Sequence, residues 1–178
     1  MYQQVLKFWF EEIEQKKWWA KDPQFDQLIS ERFYDLHQQA NRCELFGWRV
    51  SAEGCLAEIL VLDQFSRNIY RDKAAAFASD PLALALAQEA IAKGVDASLT
   101  PIQKSFLYLP YMHSESRQIH KTAVALYEQN GLANNLDFEL RHKAIIDRFG
   151  RYPHRNSILG RESSAAEIEF LLEPGSSF

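Results

Sequence analysis

A chain of 178 residues, 47% hydrophobic and 13% aromatic, has enough apolar volume to bury a sizeable core, and its length points to one globular domain over residues 1–178. The net charge of -4 excludes the broad basic field that general nucleic-acid binding requires. No run reaches the ~18 uncharged apolar residues of a membrane span, and MYQQVLKFWFEEIEQKK leads into acids instead of a small-residue cleavage site, so no signal peptide and a cytoplasmic location are expected.

The apolar spacing is helical along almost the whole chain. Leu6, Trp9, Phe10 and Ile13 mark one face of a first helix, and Phe25, Leu28, Ile29, Phe33, Leu36 and Ala40 one face of a second. Residues 52–65 are apolar almost all round, which predicts a central helix. Further helices are predicted over 81–93, 101–112, 117–129, 134–149 and 164–172. Asp22-Pro23, Asp80-Pro81 and Thr100-Pro101 each place a capping residue before a proline suited to the first helical position. Thr100 with Gln103 and Ser164 with Glu167 read as capping boxes, and Gly94, Gly131 and Gly150 as left-handed helix ends. Pro110 lies inside one predicted helix and should kink or stop it near Leu109, leaving a carbonyl free beside Tyr111, His113 and Glu115. Strand-like alternation is absent, so the expectation is an all-α fold of about eight helices joined by short loops.

Two blocks mix charge with apolar residues in a way that neither a surface loop nor a core needs. Asp63-Gln64-Phe65-Ser66-Arg67-Asn68 ends the apolar central run, and Asp63 and Arg67 stand four apart with the acid first, the favourable order for a pair. The stretch RFGRYPHRNSILGR, residues 148–161, packs four arginines, a histidine and an asparagine among aromatic and aliphatic side chains. Residues 141–161 hold six Lys/Arg against the single acid Asp147, a local +5 in a chain that is otherwise -9. A basic site on an acidic body favours a small anionic partner over a long polyanion. Arginine presents a planar fork suited to carboxylate or phosphate, so Arg67, Asn68, Arg151, His154, Arg155 and Asn156 are candidate ligand-binding residues. His113, His154, Asp63 and Glu115 are the candidates for acid–base work. The alternative for each block is a bracing network in which the arginines tie acids and carbonyls together.

Signals of other chemistries are missing. No HExxH, glycine-rich phosphate loop or GxSxG elbow is present, and the spacing of Cys43 and Cys55 matches no metal or redox motif. No metal and no cofactor are therefore expected.

The segments VLKFWF at 5–10, WWAKDPQFDQLISERF at 18–33, LVLDQFSRNIYR at 60–71, FLYLPYMHSES at 106–116, IIDRFGRYPHRNSILGRESS at 145–164 and PGSSF at the C-terminus resemble the bacterial DUF924 family of uncharacterised proteins. The likeness covers nearly the full length. It implies paired antiparallel helices, a tetratricopeptide-like α-α superhelix, and supplies no catalytic residues. Ser66 departs from the family, which more often has proline there, and this should loosen the turn. Three readings follow from the residues: a helical protein that binds a small anionic ligand or a peptide carboxylate, a metal-free acid–base enzyme acting on an anionic small molecule, and a polar network with no ligand.

Overall fold

The computed structural model describes residues 1–177; Phe178, the last residue of the PGSSF segment, lies outside them. Helices α1 (Tyr2–Lys7), α2 (Pro23–Asn41), α3 (Ala52–Leu60), α4 (Ser66–Ile69), α5 (Asp80–Ala92), α6 (Pro101–Met112), α7 (Arg117–Asn130), α8 (Ala133–Phe149) and α9 (Ala165–Phe170) follow in order. No strand occurs among the described residues, and the fold is all-α. A wide turn of π type, Val61–Phe65, joins α3 to α4 without a break, so among the described residues nine α segments make eight rods. The third helix therefore runs to Ile69, past the expected end at 65.

This third rod is the axis of the molecule. Every residue from 54 to 66 is buried. Helices α1, α5 and α6 pack against α3, and α2 packs against α4 and the wide turn. Aromatic rings fill the space between them: Trp9 lies 5.6 Å from Phe65 and 5.8 Å from Phe106, both tilted or edge-on. Helix α7 packs on α6 and α8 on α7, through links at 113–116 and 131–132 too short for anything but a reversal of direction. This succession is compatible with the paired-helix arrangement that the resemblance implies. Ile145, Ile146, Tyr152 and Phe170 form a smaller cluster where the C-terminal segment meets α8. Among the described residues no helix is long and apolar enough to cross a membrane.

Most helix ends lie where local chemistry puts them. Asp22 accepts hydrogen bonds from the N–H groups of Gln24 and Phe25, and Thr100–Gln103 and Ser164–Glu167 form reciprocal capping boxes. Gly131 and Gly150 end α7 and α8 in the left-handed conformation. Four expectations need correction. Leu28 is exposed, because the buried stripe of α2 advances by fours through Phe25, Ile29, Phe33 and His37. Asp80 does not cap α5: the cap position is Ser79, without a side-chain bond, and the Asp80 carboxylate is drawn away to two arginines. Pro110 does not stop α6, which runs on to Met112, and the His113 N–H still reaches the Leu109 carbonyl at 2.9 Å. All residues from Ser105 to Met112 are buried, and this packing outweighs the one hydrogen bond that proline forfeits. Ser66 does not loosen its turn either, since its hydroxyl donates to the Leu62 carbonyl at 2.6 Å and meets His37 Nε2 at 2.7 Å.

Candidate functional site

The wide turn Val61–Phe65 holds Asp63 in the middle of the most buried rod, with 1% of its surface exposed. Such local widening of a helix is frequent at functional positions. Asp63 Oδ1 accepts from His113 Nδ1 at 2.7 Å, and Oδ2 accepts from Gln64 Nε2 at 2.6 Å. One turn on, Arg67 donates through Nη1 to the Asp63 carbonyl at 2.7 Å and lies 3.3 Å from its carboxylate. The expected Asp63–Arg67 pair is thus present, yet the better partner of Arg67 is Asp80. The two meet in a forked pair, Nη1 to Oδ1 at 3.0 Å and Nη2 to Oδ2 at 3.1 Å.

These charges set one another's protonation. Burial favours the neutral acid at Asp63, but Arg67, then His113 and Gln64, overcome it and hold the carboxyl well below the usual carboxylate range. Burial also pushes His113 below the ordinary histidine value, and Arg67 pushes it further, against the pull of Asp63. His113 is therefore neutral at pH 7. Its Nδ1 carries the proton given to Asp63, which leaves Nε2 as an unprotonated acceptor. No hydrogen bond occupies that Nε2 among the described residues.

The C-terminal segment closes the site from the other side. Gly150 turns the chain out of α8, and Tyr152, extended as a residue before proline should be, returns it towards α6. The Tyr152 hydroxyl donates to the Met112 carbonyl at 2.5 Å, and its N–H donates to Glu115 at 2.8 Å. Arg161 clasps Glu115 with two bonds of 2.6 and 2.9 Å. Burial opposes ionisation of Glu115, but Arg161 and the Tyr152 N–H hold its carboxyl below the usual range. The same turn delivers Arg155, only 6% exposed, with its guanidinium 4.5 Å from the Phe77 ring centre and 4.6 Å from that of Tyr152. Arg155 is stacked on two rings but poorly paired. Its single ion contact, Nη1 to Asp80 Oδ2, is 3.5 Å long, and its buried Nε has no partner among the described residues.

Asp80, His113, Ser114, Glu115 and Arg155 supply the polar side of one cavity of about 350 Å³, and Phe77, Pro81, Leu84, Pro110 and Leu159 supply apolar walls. Ligand pockets are commonly ~300–1,000 Å³ in size and mix surfaces in this way. Of the residues singled out from the sequence, His113, Glu115 and Arg155 border the cavity, and Asp63 and Arg67 stand directly behind it. The others have partners elsewhere. Asn68 donates to Asp26 at 2.8 Å. Arg151 makes a forked pair with Glu167 at 2.6 and 2.8 Å. Asn156 joins Arg161 to Ser163 at 3.0 Å each. The ring of His154 lies 5.6 Å from that of Tyr152 and does not border the cavity.

The charge surplus read from residues 141–161 is largely cancelled in space. Arg67, Arg151, Arg155 and Arg161 meet Asp63, Asp80, Glu115 and Glu167, acids drawn mostly from other parts of the chain. Sequence reasoning missed Asp80, whose position before proline has an adequate explanation as a cap, and Phe77, which carries no signal at all. The usable hint was arithmetic: the buried or half-buried Arg151, Arg155 and Arg161 require acids that their own segment lacks. Among the described residues no three of His, Cys, Asp and Glu come together as a metal site.

A family model described as a bacterial protein of unknown function, DUF924, matches residues 5–175. The solved structure of a protein of unknown function from Agrobacterium tumefaciens is 40% identical, covers 96% of each chain and superposes with a TM-score of 0.91. No curated protein matches the chain.

Proposed function

The chain belongs to the DUF924 family of bacterial proteins of unknown function, and for this member we propose a small-molecule site in the cavity between α5, the end of α6 and the C-terminal segment, receiving an anionic group on Arg155. One observation carries the reading. Arg155 is buried beside the cavity with one 3.5 Å contact and an unpartnered Nε, while every neighbouring arginine of the network has a forked carboxylate. A buried guanidinium left short of acceptors is costly unless something supplies them. A carboxylate or phosphate oxygen entering the cavity offers an acceptor to the terminal nitrogens of the guanidinium, and the apolar walls suit a hydrophobic remainder of the ligand. The bracing alternative accounts for Arg151, Arg161 and Asn156, whose partners are internal, but leaves Arg155 unexplained.

The reading is tested by thermal unfolding in phosphate, sulfate or a dicarboxylate at millimolar concentration, with chloride at matched ionic strength as control. Binding to the folded state raises the melting temperature by linkage. The expected result is a rise beyond chloride that disappears in Arg155→Ala, with the variant still folded by circular dichroism. A rise that persists in the variant, or none in the wild type, speaks for bracing alone.

A further inference from the structure

We infer that His113 Nε2 is a proton acceptor facing the anion held by Arg155, so that the cavity is the active site of an acid–base enzyme and not a passive receptor. This rests on the anion site proposed above and deepens it. The geometry has three parts. The His113 ring borders the cavity, while its Nδ1 is turned inward to Asp63 at 2.7 Å. Asp63 is itself fixed from three directions, by Gln64, by Arg67 and by His113. A buried carboxylate that holds one imidazole nitrogen sets the tautomer and leaves the other nitrogen as the base. Finally, Nε2 has no acceptor or donor among the described residues, although the nearby Asp63, Arg67, Asp80 and Glu115 are engaged; Arg155 across the cavity likewise keeps an unpartnered nitrogen.

The fully buried histidines lack this combination. His37 is closed in against Ser66, and His120 spends both nitrogens, Nδ1 on Glu139 at 2.7 Å and Nε2 on the Ser114 carbonyl at 2.8 Å. His113 alone of the three joins a carboxylate-fixed nitrogen to a cavity-facing ring. The step is a proton transfer. The substrate X–H bond, where X is carbon or oxygen, breaks, its proton bonds to Nε2, and the electron pair stays on the substrate. Asp63 stabilises the imidazolium, and Arg155 offsets the charge that grows on the substrate. Return of the proton restores the enzyme. The substrate class is a small carboxylate or phosphate monoanion with an apolar part.

Alkylation tests this without a known substrate. Bromoacetate docks its carboxylate on Arg155 and offers its carbon to Nε2; an N–C bond forms and bromide leaves. Bromoacetamide has the same carbon without the charge. Both reagents are applied to Cys43→Ser protein, which removes the exposed thiol, and the products are mapped by peptide mass spectrometry. The expected result is modification of His113 at least about ten-fold faster by bromoacetate than by bromoacetamide, a preference lost in Arg155→Lys and suppressed by unreactive propionate. In His113→Gln the label should vanish while propionate still raises the melting temperature, which separates the base from the anion site. An anion-dependent thermal shift with His113 unlabelled overturns the base while leaving the anion site standing. Equal labelling by both reagents, or label only on other histidines, overturns the inference as well. If Arg155→Lys fails to fold, protection of the parent protein by propionate decides alone.

Discussion

Arg67 is the residue on which the site's electrostatics turn. It touches the carboxylate and carbonyl of Asp63 and forks onto Asp80, so its removal leaves the almost fully buried Asp63 with only the neutral donors His113 and Gln64, and Asp80 with the 3.5 Å contact to Arg155. Arg67→Ala is expected to destabilise the fold by about 2–4 kcal/mol, because an uncompensated buried charge costs more than the pair contributes. Chemical denaturation measures this, and a loss under about 1 kcal/mol would mean that the pair behaves as an exposed one. The Asp63–Arg67 half of this arrangement was legible, since the four-residue spacing on an apolar rod leaves few alternatives. The Asp80 half was not. A capping role and an ion-pair role look the same in the dipeptide Asp80-Pro81, and only the approach of α5 to the third rod decides between them. Asn68, Arg151 and Asn156 were read by type, and type cannot distinguish an arginine that awaits a ligand from one that already holds Glu167.

Among the elements, the C-terminal segment depends on two devices. Gly150 reverses the chain at φ 71, and an added Cβ there would meet nothing closer than Arg117 at 3.9 Å. Gly150→Ala should therefore cost only the left-handed strain, about 1–2 kcal/mol, with anion binding retained. Tyr152 then docks the segment onto the last carbonyl of α6. Tyr152→Phe strands that buried carbonyl, at about 1–3 kcal/mol, but keeps the ring beneath Arg155, so anion binding should survive in folded protein. Denaturation midpoints paired with anion titration check both; loss of binding in Tyr152→Phe would show that the hydroxyl, not the ring, positions the guanidinium. The helices themselves were readable because caps and periodicity act locally. The course of α6 through Pro110 was not, because burial against α3, α5, α7 and α8 is a tertiary effect that overrides local propensity.

Over the whole molecule, buried histidines make stability depend on pH. Burial lowers His37 to about 4, His142 to about 3 and His154 to about 4, from an ordinary 6.5. Between those values and ~6.5 the unfolded chain binds more protons than the folded one, so stability rises with pH across that window. Their contribution is complete above ~6.5 and is lost as pH falls towards 3–4. Glu139, raised by burial in spite of His120, acts in the opposite sense, while His113, also lowered by burial, acts with the three. The denaturation midpoint should fall between pH 7 and pH 5, and a flat or rising midpoint would show that these rings titrate normally.

Whether the cavity takes an anion on Arg155 is decided by a crystal structure of the protein grown with benzoate, whose ring suits the walls at Phe77, Leu84 and Leu159. The carboxylate should lie within about 2.7–3.0 Å of the Arg155 guanidinium, with the aromatic ring inside the cavity. A cavity that stays free of benzoate at saturating concentration, or one that holds the ring with the carboxylate turned to solvent, would contradict it.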